Sequence, residues 1–430
     1  MTICRLLVAA TFILSGFVKA VDPLGTQYKL QDYATALHIG QVVPDWLTLI
    51  ASLGLSAIEF TLGVLLLFAI HRRLCSRLAF LFMVVMTLIT VWIAFWEPVK
   101  DCGCFGDAIP MTGKESLLKN VVLLAATYVL AHWPLQMTRF ISKSNQWIVE
   151  NYTILFILAV SLWCLYYLPL FDFRPYNIGA DIKAGMEMPE GVQPPQYATT
   201  FILEKDGERK EFTIDDYPDS TWTFIDSRTE LVSEGYEPPI HDFSIEDRES
   251  GEDITEEVLS HPSYTFLLIS PNLAYASDTN FGEIDQLYEY AQEHGYPFYC
   301  LTASSDAAIA RWRDLTGAEY PFCLTDETTL KTIIRSNPGL LLLKGSVIVN
   351  KWSHNRLPEI EASLISQPLE QSPIGTLSPD GAAHKIVALL LWFVLPLLLL
   401  TLADRTWAWT RWLKRKKKPL TTTNNKKSDK

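Results

Sequence analysis

Six long apolar runs punctuate the chain, at residues 3–20, 46–69, 78–96, 117–134, 149–170 and 386–403. A bilayer core takes about 20 residues of helix, so each run is long enough to span it. Charges or prolines bound every run. Trp46, Trp92, Trp96, Trp133, Trp147, Trp407, Trp409 and Trp412 fall near the predicted ends, where interfacial anchors belong. Between the fifth and sixth runs the pattern shortens. Thr199–Glu204, a polar turn at Lys205–Glu208 and Lys210–Ile214 carry a hairpin signature. Farther on, Tyr264–Ile269 reads as a buried strand, Phe281–His294 as a helix and Pro297–Thr302 as a second strand. Ser304–Thr316 reads as another helix, capped by Ser and Asp at its start. Leu340–Leu343, the turn Lys344-Gly345-Ser346 and Val347–Val349 close with a hairpin. That order predicts an α/β domain with a mixed sheet.

Charge sets the expected orientation. His71 to Arg77, Arg139 with Lys143, and Arg411 to Lys418 are basic, and the positive-inside rule places all three in the cytoplasm. Residues 171–384 hold 14 Lys+Arg against 37 Asp+Glu and face outward, as do residues 21–45 and 97–116, read as loops. A block this acidic excludes a nucleic-acid binder, which needs clustered Lys and Arg. Seven cysteines in 430 residues exclude a disulfide-stapled mini-scaffold. The first run has two readings, a retained span or a cleavable secretory signal ending at Val18-Lys19-Ala20; retention leads. The tail Lys414 to Lys418 is read as topogenic and lipid-facing.

The most specific string is Trp96 to Asp107, which contains Cys102-Gly103-Cys104-Phe105-Gly106. Residues i and i+2 of an extended chain point to one side and lie about 6.6 Å apart, near the limit for a disulfide. Gly103 lets the backbone close that gap. A bridge in so small a ring should be strained, exposed and therefore labile, and Lys100 with a downstream helix N-terminus would favour a thiolate. Three readings stay open: a thiol–disulfide exchange centre, which leads, a static loop brace, and a metal site. Metal comes last because two thiolates with only Asp101 and Asp107 nearby fall short of a closed four-ligand site.

Other candidates are weaker. Cys164 could relay a disulfide or only pack. Glu59 lies inside the second span, where a carboxyl group is costly; it is either functional or protonated and bonded to a hydroxyl such as Ser15 or Tyr128. Lys19 is expected to snorkel to the outer surface. Cys300 and Cys323 read first as small buried strand residues, with a disulfide as the alternative. Cys4 and Cys75 take no role.

Two resemblances add to this. Phe12 to Gly25, Glu59 to Gly63 and Cys102 to Gly106 resemble the DoxX-like membrane family that includes the methylamine-utilisation protein MauE, over about residues 1–135. Its motif positions here are Ser15, Gly16, Lys19, Asp22, Pro23, Gly103, Phe105 and Gly106. The resemblance implies a four-helix membrane bundle and, for MauE, a part in maturing a disulfide-rich extracytoplasmic enzyme. Residues 238–358 resemble the thioredoxin fold of membrane-tethered extracytoplasmic thiol oxidoreductases. Pro239 to Ile245 stands at that family's opening strand, and Pro338 in Asn337-Pro338-Gly339 at its cis-proline. Where the family places C-x-x-C, this chain reads Ser270-Pro271-Asn272-Leu273-Ala274-Tyr275-Ala276. Without a thiolate nucleophile, exchange cannot begin there.

The expected fold class is thus an α-helical polytopic membrane bundle plus an extracytoplasmic α/β thioredoxin-like domain. The expected organisation is a membrane domain over 1–135, a loop and fifth span over 136–170 and an acidic β-rich segment over 171–237. The thioredoxin-like domain over 238–358, a linker over 359–385, the sixth span over 386–403 and a basic tail over 404–430 follow. The leading function is support of thiol–disulfide exchange outside the inner membrane by Cys102 and Cys104; the alternative is a non-enzymatic scaffold. Expected partners are the lipid bilayer and an extracytoplasmic client or redox protein. No cofactor or metal is assigned, and a quinone or partner thiol protein is the electron acceptor to consider.

Overall fold

A computed structural model describes residues 1–416 apart from 98, 100–101, 190, 195, 206–207, 214–215, 217, 219–220, 234, 360–366 and 378–381. The chain divides into two compact units, one of residues 1–174, 352–356 and 378–430, the other of 175–351 and 357–377.

The first unit is helical: α1 (Thr2–Val21), α2 (Pro23–Ala36), α3 (Asp45–Phe68), α4 (Arg72–Trp96), α5 (Gly113–His132), α6 (Gln146–Tyr166), and a last long helix, Ala382–Lys416. Among the described residues five helices are long and apolar enough to cross a membrane: α1, α3, α4, Lys143–Tyr166 and Ala383–Leu413. The chain is therefore a multi-pass membrane protein in a lipid bilayer. The expected span at 117–134 is present as α5 but is not among the five. Lys114, Glu115 and Lys119 charge its first turns, and its buried stripe is Ser116, Asn120, Leu123, Ala126, Thr127 and Leu130. Small and polar residues of that kind let helices approach closely. Asn120 Nδ2 donates to Thr90 Oγ1 of α4 at 3.2 Å.

α1 crosses α3 at equally close range. A Cβ built on Gly16 would lie 2.4 Å from the Phe60 backbone nitrogen, and one on Gly63 would lie 2.8 Å from that of Ile13. Phe60 then meets Phe156 of α6 and Phe393 of the last helix, with ring centroids 6.1 and 5.2 Å away. The segment 21–45, expected as a loop, holds α2. Asp22 caps it, its Oδ1 accepting from the Gly25 N–H at 2.9 Å, and Pro23 supplies a first-turn residue that needs no donor.

The second unit is α/β. Its strands are β1 (Gln196–Lys205), β2 (Glu208–Thr213), β3 (Thr223–Ser233), β4 (Glu246–Asp247), β5 (Tyr264–Ser270), β6 (Phe298–Thr302), β7 (Phe322–Leu324), β8 (Gly339–Lys344) and β9 (Val347–Ser353). The expected hairpin is β1 paired antiparallel with β2, in a three-stranded sheet of order β2-β1-β3. The larger sheet runs β4-β7-β6-β5-β8-β9 and is mixed: β5, β6 and β7 are parallel, and β8 is antiparallel to β5. Every residue of β5 is buried, as a central strand requires.

Two expectations change here. The opening strand at Pro239–Ile245 does not form; pairing is confined to Glu246 and Asp247. Pro239 has no donor, and the Ile245 N–H goes to Thr255 Oγ1 at 2.7 Å. The helix placed at Ser304–Thr316 begins at Asp306, and its N-cap Ser305 makes no side-chain capping bond. Ser304 Oγ instead accepts from the Leu273 N–H at 2.8 Å.

Candidate functional site

The loop between α4 and α5 folds back onto the bundle because its backbone is held from two sides. Ser15 of α1 donates to the Cys104 carbonyl and Tyr33 of α2 to the Cys102 carbonyl, each at 2.6 Å. Gly103 between them sits at φ +60°, a conformation that side chains rarely adopt. The two thiols are thereby turned toward one another, with Cys102 Sγ and Cys104 Sγ 3.0 Å apart. Both cysteines are free and buried, packed with Ile93 and Phe105, so the expectation of an exposed pair is corrected. The cause is α2: the segment read as a loop is a helix whose Tyr33 packs against this cluster.

Charge makes the two sulfurs unequal. The Cys104 thiol lies well below its ordinary value because Cys102 hydrogen-bonds to it and Lys119 and Lys19 bring positive charge, against the effect of burial. Cys102 is pushed up, by its bond with Cys104 and by burial. The two thiols titrate as a coupled pair, and the nearby lysines favour its singly ionised form. Lys119 Nζ also lies 4.5 Å over the Phe105 ring, which ties the motif to α5. Lys100 and Asp101 lie outside the described residues; Lys119 is a positive charge beside the pair that the sequence did not single out.

Below the loop lies a pair that corrects two readings. Lys19 does not snorkel: its side chain is 3% exposed, and Nζ reaches Glu59 Oε2 at 2.6 Å and Ser15 Oγ at 2.9 Å. Glu59 accordingly bonds an ammonium rather than a hydroxyl. Tyr128 is 54% exposed and packs on Phe80 and His132. A chain of contacts, Glu59 to Lys19 to Ser15 to the Cys104 carbonyl, thus links the bundle interior to the cysteine loop. Spacing hinted at the α1 half, since Ser15 and Lys19 are one helical turn apart. Nothing in the sequence pointed to Tyr33 or Lys119.

Other candidates fall elsewhere. Cys164 is buried with Val21 and Val160, in a cluster separate from that of Cys102 and Cys104. In the α/β unit Cys300 and Cys323 are free, buried and on adjacent strands, one register step out of alignment. Burial pushes the Cys323 thiol up to about 12, the direction opposite to a reactive cysteine. The Asn337–Pro338 peptide is cis. At the position of the missing C-x-x-C, Ser270 Oγ donates to Asn337 Oδ1 at 2.7 Å, and Asn337 Nδ2 donates to the Asn272 carbonyl at 2.8 Å. Amide and hydroxyl bonds occupy that corner.

Together these features define a multi-pass membrane protein with a buried dithiol in its helical unit and a second unit built on a mixed α/β sheet. Residues 1–134 match the family described as methylamine utilisation protein MauE, and residues 197–234 match a domain of unknown function, DUF8463. Over 165 residues the chain is 26% identical to Protein TlpB of Flavobacterium psychrophilum. That match covers 37% of this chain and 42% of the relative, so the chain spans less than half of the curated protein's length. A solution structure from Bacteroides thetaiotaomicron, provisionally described as a protein disulfide isomerase, shares 17% identity. It covers 34% of this chain and 91% of its own at a TM-score of 0.24, too low to carry an argument.

Proposed function

We propose that this protein supports thiol–disulfide exchange at the outer face of the cytoplasmic membrane, with Cys102 and Cys104 as the exchanging pair. The observation that carries this reading is the two free thiols 3.0 Å apart, aligned by bonds to both of their carbonyls. In the oxidised pair, a client thiolate attacks Cys102 Sγ, the bond between the two sulfurs breaks, and Cys104 leaves as a thiolate beside Lys119 and Lys19. A low leaving-group pKa speeds that step. The second client thiol then displaces Cys102, which takes up a proton. The client gains a disulfide, the pair gains two electrons, and a partner disulfide or a quinone must return the pair to its oxidised form. The thioredoxin-like unit, which lacks C-x-x-C, would hold the client or partner without exchanging with it.

The Cys104→Ala variant tests this. It leaves Cys102 able to form a mixed disulfide that no second sulfur resolves, and it removes the neighbour that raises the Cys102 thiol. A reductant-sensitive band of higher mass should appear on a non-reducing gel and vanish when Cys102 is also replaced, although Cys300 and Cys323 remain. A loop brace predicts lower protein levels and no discrete adduct. Absence of the adduct at normal levels of the variant sinks exchange in favour of the scaffold reading.

The orientation is part of the proposal and rests on the basic residues at one end of the bundle. An alkaline phosphatase fusion at Gly251 should be active and one at Lys143 inactive. The reverse pattern overturns the arrangement.

A further inference from the structure

At the far end of α4 from the cysteine loop lies an open pocket of about 640 Å³ whose polar lining comes from three segments. His71, Arg72 and Arg73 come from the start of α4, Arg139 and Lys143 from the turn before α6, and Gln146 from its first residue. No carboxylate lines it among the described residues. His71 is already engaged, with Nε2 2.7 Å from Glu150 Oε1. Arg72 Nη1 donates to the carbonyls of Leu135 and Met137, at 2.9 and 2.6 Å, which fixes its guanidinium in place. For Arg73, Arg139 and Lys143 no carboxylate partner is present among the described residues.

Unmet hydrogen bonds give the pocket its chemistry. Arg72 Nε, Arg139 Nε and Gln146 Nε2 are buried without a hydrogen-bond partner among the described residues, and Gln146 as a whole is only 7% exposed. All three are N–H donors. Buried donors without acceptors are costly, and here they line a cavity that also concentrates positive charge. Of the solutes that could enter, an oxygen-rich anion answers both the charges and the donors, whereas a cation or an apolar group answers neither. A volume of about 640 Å³ suits a group of headgroup size. The pocket also lies at the first residues of two candidate spans, Arg72–Trp96 and Lys143–Tyr166, where a lipid phosphate would be within reach.

We propose that this pocket binds a phosphate-bearing anion, with Arg73, Arg139, Lys143 and Gln146 as its ligands and Arg72 as the fixed floor. Positive-inside topology asks only for basic residues on one side and does not ask for three segments to bring them to one pocket together with a buried Gln146. The phosphate could be the diester of an anionic lipid or a soluble phosphate, and one experiment separates them. Full-length protein in phosphatidylcholine nanodiscs is titrated with dioleoylphosphatidylglycerol, followed by native mass spectrometry, with and without millimolar inorganic phosphate. Phosphatidylglycerol should bind more tightly than added phosphatidylcholine, and Arg139→Gln/Lys143→Gln should weaken it by about tenfold or more while leaving phosphatidylcholine unaffected. The exposed pair Arg73→Gln/Lys143→Gln, less able to disturb folding, should act the same way. Displacement by inorganic phosphate assigns the pocket to a soluble phosphate; persistence assigns it to lipid. Equal retention of the two lipids in the native protein, together with no binding of phosphate, overturns the proposal.

Discussion

Replacing Lys19 with Met should destabilise the helical unit by about 3–5 kcal/mol, because it leaves Glu59 as an unpaired carboxyl group in the bundle interior. Unfolding in detergent, followed against denaturant, reads this directly. Glu59→Leu should cost a similar amount by stranding the ammonium. The double variant Lys19→Met/Glu59→Leu should recover much of the loss, since removing both charges together removes the desolvation penalty as well. Recovery of stability should not fully restore the chemistry. Lys19 lowers the Cys104 thiol and Glu59 raises it by less, so Lys19→Met should need a higher pH for alkylation of the reduced pair, with the double variant between it and the wild type. If the single variant Lys19→Met is alkylated with the wild-type pH profile, Lys19 acts on packing alone.

Gly16→Ala should be nearly as damaging, for a reason of space rather than charge. Its added carbon would lie 2.4 Å from the Phe60 nitrogen and 2.8 Å from the Phe60 Cα, both backbone atoms, so α1 must move away from α3. Overpacking of this kind typically costs about 1–3 kcal/mol. The control is Gly54→Ala on α3, where among the described residues an added Cβ would meet nothing within 4 Å beyond its own helix backbone and chain neighbours, and where the better helix propensity of Ala should make the change neutral or slightly stabilising. Moving α1 also withdraws Ser15 from the Cys104 carbonyl, so Gly16→Ala should lower the rate at which a client dithiol reduces the oxidised pair. An unfolding midpoint equal to that of Gly54→Ala would mean that the crossing tolerates a methyl group.

Both variants act at a contact between helices far apart in sequence, and this explains what was legible beforehand. Apolar run lengths located α1, α3, α4, α6 and the last helix, because twenty consecutive apolar residues have few alternatives to spanning lipid. The alternation around Thr199–Glu204 and the buried run Tyr264–Ile269 located β1, β2 and β5, and with them the α/β class. Helix α2 was missed although Asp22-Pro23 is a good start signal, because its composition offers no apolar stripe. The opening strand was placed by family resemblance, and Ile240, Phe243 and Ile245 are buried there without sheet pairing.

By itself the sequence determined the membrane spans, the acidic block between the fifth and sixth, the strand–helix order of the second unit and the Cys-Gly-Cys string. Each is a property of neighbours along the chain, where period, charge and spacing act directly. Tertiary structure decided which groups those residues meet. It joined Lys19 to Glu59 across 40 positions and Ser15 to Cys104 across 89, set Tyr33 on the Cys102 carbonyl, and kept Cys164 in a different cluster. It also filled the corner of the missing C-x-x-C with Ser270 and Asn337, 67 positions apart. The physical reason is that a buried charge or donor must find a partner somewhere in the fold, and local sequence records the need without recording the partner.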